Sequence, residues 1–347
     1  MNPSTKKILL GMLVSNGDCL MATVIARQIK KDFPGCHLTW AISDLCLNMI
    51  LNNPDVDNIW EVKLSSKQAG LKEEWYAFRK EADERKNRGE FDEMFFTQIY
   101  PDNVYHFDGT TRGTIYGSYP NPVTVNARPV LRLTIEENEN IHRFAEIHEL
   151  KKYKQVILME CSSFSGQSFV NTKWAMDLSK RLVESFPEML ILISTHEKLP
   201  AVHPRVIPAN EISLRENVGL SHYCSLLVGC SSGVTWACTS EDAKRLPMIQ
   251  FLKRAKGFSF ASVAYDHAWW KLDNSKIVES TRKSVEDAFE IISTQTNKGM
   301  EITHSLFNET LRPRIISMYK YAFMFLRRGQ IGKSLQIIKN WRRRNGH

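Results

Sequence analysis

The chain of 347 residues lacks any apolar run near the ~18 residues that a membrane-spanning helix requires. The early run Ile8 to Val14, after Lys6-Lys7, stops at Asn16-Gly17-Asp18, too soon for a secretory leader, so a cytoplasmic protein is expected. Paired cysteines are also missing. The seven present are scattered, odd in number and never spaced as C-x-x-C, which excludes a disulfide framework and a structural zinc site. No internal repeat or low-complexity tract is visible. Acidic residues vanish from residues 312–347, where ten Lys and Arg stand without one Asp or Glu. The net charge of +8 therefore originates in the tail, and residues 1–311 together carry −2. That distribution argues against a nucleic-acid-binding core and points to the surroundings of the tail.

What is present is ordinary globular composition, 43% hydrophobic and 24% charged, with length for two cores. The opening alternates as βαβαβ: strand 8–14, helix 19–33 stopped by Pro34-Gly35, strand 38–41, a short helix near 45–51 and strand 59–62. A charged stretch, 72–93, reads as an exposed helix before a strand at 94–97. The irregular stretch 100–129 has the length of a functional loop, where acceptor contacts are expected. After a charged helix at 135–153, a second α/β series runs from strand 156–159 to strand 248–252. The expected fold class is α/β, with two Rossmann-like domains facing a central cleft. The expected domains are 1–150, 151–311 and a basic amphipathic helical tail, 312–347.

Two apolar runs end in small-residue loops that open helices: Ile8 to Val14 before Ser15-Asn16-Gly17-Asp18, and Leu226 to Val228 before Cys230-Ser231-Ser232-Gly233. Such a loop points backbone N–H groups and the positive helix end at whatever lies above, which favours phosphate. The second loop thus reads as an anion cradle formed by Ser231, Ser232, Gly233 and Val234, although the same residues suit a tight strand-helix connection. The first carries a carboxylate, Asp18, at a strand's carboxyl end, where it suits a general base or a helix cap. Glu197 follows a strand end and either holds a ribose hydroxyl or is an exposed loop carboxylate. Lys173 stands in the first turn of a helix, where a solvated ammonium is the alternative to a phosphate ligand.

These residues resemble the ADP-heptose lipopolysaccharide heptosyltransferase family. The resemblance rests on Ile8-Leu9-Leu10, Gly17-Asp18 with Ala22-Thr23, Phe33-Pro34-Gly35, Asn53-Pro54-Asp55-Val56-Asp57, and Pro129-Val130-Leu131-Arg132-Leu133-Thr134. In the second half it rests on Thr172-Lys173-Trp174 and the turn Leu227 to Gly233, with Ala237 and Pro247. The ordered series spans roughly residues 6–255. It implies the glycosyltransferase-B architecture and an inverting transfer, without metal or other cofactor, from a nucleotide-diphosphate sugar to a hydroxyl of a bacterial surface glycan precursor. It implies Asp18 as base and Lys173 as a donor-phosphate ligand. Ser231 stands where the family has Asp, Trp236 where a His usually follows, and Lys173 abuts Trp174 without the usual intervening residue. The sugar, the nucleotide base and the acceptor linkage stay open.

Three look-alikes read as structure. Asp55-Val56-Asp57 resembles a metal-binding D-x-D but reads as a turn. Gly329 to Ser334 resembles a P-loop, but Arg327 holds the first glycine position and no strand precedes it. His142, Glu146 and His148 share a solvated helix face. In the tail, Tyr319, Phe323, Phe325, Leu326, Ile331, Leu335, Ile338 and Trp341 interleave with the basic residues. Contact with an anionic inner-membrane surface carrying a lipid-linked glycan acceptor is expected, against packing on the body or a protein-binding hairpin. A non-catalytic scaffold that binds a partner or nucleic acid through this tail is the alternative function.

Overall fold

The computed structural model describes residues 5–64, 71–161, 166–195, 197–253 and 261–346. The chain divides into two compact units, residues 1–132 with 313–347, and residues 133–312.

The first unit begins with β1 (Lys7–Gly11), α1 (Asn16–Asp32), β2 (His37–Ser43), β3 (Asn58–Val62), α2 (Leu71–Asn87), β4 (Glu93–Phe96) and α3 (Thr111–Gly117). Its four strands form a parallel sheet in the order β3-β2-β1-β4, with Ile8 opposite both Leu38 and Glu93. β1 is apolar without alternation because it is central, and every one of its residues after Lys7 is buried. The charged α2, expected to be exposed, has an inner stripe: Trp75, Phe78 and Ala82 are buried at helical spacing. Trp75 packs edge-on against Phe96 and its indole N–H donates to Asp102 at 2.7 Å.

The stretch 100–129 wraps α1. Tyr119 Oη donates to Asp32 at 2.7 Å, and the N–H groups of Thr124 and Val125 donate to Gln28 Oε1 at 2.8 and 3.1 Å. Much of its polar capacity is thereby used inside the unit. At Gly113 any Cβ would stand 1.9 Å from the Asp108 carboxylate, so only glycine admits that carboxylate under α3.

The second unit comprises α4 (Ile135–Ile147), β5 (Gln155–Glu160), α5 (Thr172–Ser185), β6 (Met189–Ser194), β7 (Val206–Pro208), α6 (Asn217–Leu220), β8 (Leu226–Gly229), α7 (Gly233–Ala237), β9 (Met248–Phe251), α8 (Val263–Trp269), β10 (Ile277–Ser280), α9 (Val285–Lys298) and α10 (Met300–Phe307). Its six strands are parallel in the order β10-β9-β8-β5-β6-β7. The division falls before α4, whereas the sequence suggests a point near 150. α4 opens on a capping box made by Thr134 and Glu137, and Glu137 also takes two hydrogen bonds from the buried Arg215 guanidinium, at 2.5 and 3.0 Å. Ile141 on α4 lies against Gly219. The last strand, β10, extends the sheet beyond the strand expected at 248–252.

The tail forms α11 (Ile315–Leu326) and α12 (Ile331–Asn345), joined through Gly329 at φ 70°. It returns to the first unit. Met318, Ala322 and Phe325 of α11 and Ile337 and Trp341 of α12 are buried, with Tyr321 and Trp341 near the Phe107 ring. Arg344, fully buried, donates to Asp108 Oδ2 at 2.9 Å, which fastens α12 under α3.

Candidate functional site

In parallel sheets, loops at the carboxyl ends of the strands carry ligand-binding groups. In the first unit that edge holds the loop from β1 into α1. Ser15 turns through φ 75° at the N-cap position, and its side chain hydrogen-bonds the Asp18 carboxyl instead of capping a backbone N–H. The helix starts at Asn16, so Asp18 lies inside its first turn and is not the cap. Asp18 is partly exposed, yet protein atoms crowd its carboxyl. Desolvation by that burial raises its pKa to about 7, with the Ser15 hydrogen bond acting in the opposite direction. The thiols of Cys19 and Cys46 stand beside it. Burial pushes Cys19 well up, while hydrogen bonds, foremost from Cys19, draw Cys46 down. A carboxylate whose affinity for a proton matches neutral pH suits proton abstraction. Leu13 and Val14 donate their N–H groups to Gln98 Oε1, both at 3.0 Å, so an internal amide oxygen holds the start of the loop.

The corresponding edge of the second unit carries the turn 230–235, and it is already occupied by a protein carboxylate. Glu160, the last residue of β5 and only 3% exposed, accepts from Cys230 N at 3.0 Å, Ser232 N at 3.2 Å, Val234 N at 2.8 Å and Thr235 N at 3.2 Å. The Thr235 hydroxyl adds a fifth donation at 2.7 Å. The Ser232 and Val234 N–H groups expected to receive donor phosphate therefore receive Glu160. The sequence carries one signal of this arrangement: a lone carboxylate ending the otherwise apolar Val156-Ile157-Leu158-Met159. Ser231, at φ 51°, donates its hydroxyl to Ala261 O and its N–H to Gln250 Oε1 at 2.8 Å, so neither faces outward. Ser232 and Gly233 are partly exposed. Gly229 admits this packing, because a Cβ there would stand 2.4 Å from Thr235 Oγ1 and 2.5 Å from Gln250 Nε2. Trp236, at the family's His position, packs on the core beside Val234 and Cys238.

Lys173 lies exposed in the first turn of α5, whose cap is Asn171, accepting from Trp174 N at 3.0 Å. Its neighbour Thr172 donates its hydroxyl to Glu197 Oε2 at 3.0 Å. Lys173 and Glu197 thus share one corner of the second unit, at the carboxyl ends of β5 and β6.

The look-alikes are accounted for locally. Asp57 accepts from Leu38 N at 2.6 Å and pairs with Lys30, and Asp55 faces Arg27 at 3.6 Å, so both serve the turn before β3. His142 and Glu146 are an exposed pair at 3.2 Å on α4. Gly329 and Gln330 lie in the link between α11 and α12, and Ile331 to Ser334 form the first turn of α12. Concavities of about 700 and 520 Å³ on the first unit do not include Asp18. The first is lined by strand starts such as Lys7 and His37, the second by Tyr76, Arg79 and Asp102.

No family model matches the sequence, and no curated protein matches it. Solved structures do match. A glycosyl transferase family 9 protein from Veillonella parvula is similar over 94% of this chain and 99% of its own, with 13% identity and a TM-score of 0.57. A protein described as a UDP-N-acetylglucosamine 2-epimerase from Listeria monocytogenes covers 92% of this chain and 97% of its own, with 11% identity and a TM-score of 0.51. MnaA from S. aureus, solved with UDP, covers 94% and 98%, with 8% identity and a TM-score of 0.50. These likenesses show the fold: two parallel-sheet α/β units of glycosyltransferase-B type with a helical C-terminal region.

Proposed function

We propose that this chain is a metal-independent inverting glycosyltransferase that moves a sugar from a nucleotide-diphosphate donor to a hydroxyl of a lipid-linked surface-glycan precursor at the cytoplasmic face of a membrane. The observation that carries the reading is Asp18, a carboxylate at the carboxyl end of β1 with its pKa raised to about 7. In the reaction the acceptor hydroxyl gives its proton to Asp18. Its oxygen attacks the anomeric carbon on the face opposite the diphosphate, whose bond to that carbon breaks. The Lys173 ammonium and the Ser232 hydroxyl, with Gly233, meet the charge that develops on the leaving diphosphate, and Glu197 takes a ribose hydroxyl. Ser231 and Val234 shape the turn. Because Glu160 takes the N–H groups of Cys230, Ser232, Val234 and Thr235 and Gln250 takes that of Ser231, the donor relies on side chains more than the family pattern implies.

The test is thermal shift with a panel of nucleotide sugars, followed by transfer assays on the Asp18→Asn variant. Stabilisation by one donor, with transfer lost and donor binding kept in the variant, supports the reading. Wild-type turnover in Asp18→Asn removes the assigned base. The second reading, a non-catalytic scaffold of the same fold, is favoured by one observation: Glu160 fills the crown of N–H groups that an external phosphate would need. It gains if no nucleotide sugar shifts the melting temperature.

A further inference from the structure

Each tail helix has two apolar stripes, and only one of them is covered. On α11, Met318, Ala322 and Phe325 face the first unit, while Ile315, Ile316, Tyr319, Phe323 and Leu326 are each at least half exposed. On α12, Ile337 and Trp341 face inward, while Ile331 and Leu335 are each 60% exposed. The outer residues recur at spacings of three and four, so each helix presents them along one side. Around them stand the tail's cations, including Lys320, Arg327, Arg328 and Lys339, all exposed. Of the ten cations, Arg344 is committed to Asp108, and residues 312–347 contain no acid to neutralise the rest.

We infer that this outer side of the α11–α12 hairpin docks on an anionic phospholipid bilayer, with the aliphatic and aromatic side chains in the acyl boundary and the Lys and Arg groups among the headgroup phosphates. The inference deepens the membrane part of the reading above and names the surface that makes the contact. Charge decides between occupants. A second copy would bring like charges together, and a nucleic acid would satisfy the cations but leave Ile315, Ile316, Leu326, Ile331 and Leu335 without a partner. A bilayer with negative headgroups satisfies both parts at once. No described helix is long and apolar enough to cross a membrane, so the contact lies in the interface plane.

The experiment is co-sedimentation of the full chain with vesicles of phosphatidylcholine alone and of phosphatidylcholine in which a third is replaced by phosphatidylglycerol. Binding is expected on the anionic vesicles and at least tenfold weaker on the neutral ones. The Phe323→Ser/Leu326→Ser variant and the Arg327→Glu/Arg328→Glu variant, altered only at exposed positions, are each expected to lose at least tenfold while melting like the wild type. Removing one charge accounts for roughly fivefold, the equivalent of ~1 kcal/mol. The inference is overturned if the wild type ignores anionic vesicles, or if the serine variant binds like the wild type. It is also overturned if an oligonucleotide binds more tightly than the vesicles, or if light scattering shows a dimer that the serine variant abolishes. None of these readings involves sugar transfer, so they stand apart from the fate of the enzymatic reading.

Discussion

Asp18 and Glu160 are two carboxylates at strand ends with opposite fates. At Asp18 desolvation outweighs the Ser15 hydrogen bond and raises the pKa to about 7, so ionisation costs stability. The folded form keeps a proton up to about pH 7 that the unfolded chain releases near 4. Its contribution to stability is therefore complete below pH 4 and is lost as the pH rises through 7. Glu279, buried and likewise raised to about 7, adds a loss of the same sign. Asp18→Asn is expected to lower transfer by about 10²–10⁴-fold. It should raise the melting temperature at pH 8 and leave it unchanged at pH 3.5, a comparison that calorimetry makes directly. The wild-type rate should climb with pH up to about 7 and then level off. Glu160 has five hydrogen-bond donations around its carboxylate. Glu160→Ala leaves four backbone N–H groups without an acceptor and is expected to cost about 3–5 kcal/mol in denaturant titration. The place of Asp18 in the loop after β1 can be read from the sequence because that loop follows a conspicuous apolar strand. The role of Glu160 cannot be, since its partners lie seventy and more residues away.

Elements were legible where one rule decided them. β1, β5 and β8 are short apolar runs inside parallel sheets, and α5 opens with Asn171 as its cap. β10 is hard to read from the sequence because Ile277-Val278-Glu279-Ser280 places a carboxyl group in a buried strand, where the Ser262 hydroxyl and the Val263 and Ala264 N–H groups donate to it. α2 reads as an exposed helix in the sequence because its many charges hide a stripe of three buried residues. α4 is held to its unit by the Glu137–Arg215 ion pair, by Asn140 donating to Glu216 at 2.7 Å and by the buried Ile141, Phe144 and Ala145, and the ion pair is where the junction can be tested. Glu137→Ala removes both the capping box and the partner of a guanidinium that is 3% exposed. About 3 kcal/mol of destabilisation is expected in chemical denaturation, well above the ~1 kcal/mol of a lost cap such as Asn171→Ala.

At the scale of the molecule, the two α/β units could be read from the alternation of strands and helices, but the ownership of the tail could not. The buried Arg344–Asp108 pair joins residues 236 apart, and neither announces the other. Residues 133–312 hold a complete six-stranded sheet and should melt cooperatively when expressed alone. Residues 1–132 alone should not, since Phe107 and Asp108 would lose the side chains that cover them; circular dichroism melts of the two fragments check both outcomes. The return of α11 and α12 to the first unit also sets an order of events on the ribosome. Residues 1–132 must wait for residues 313–347 to be made, while residues 133–312 mature in between. A nascent chain arrested before Arg344 would carry one finished half and one half left open to proteases and chaperones.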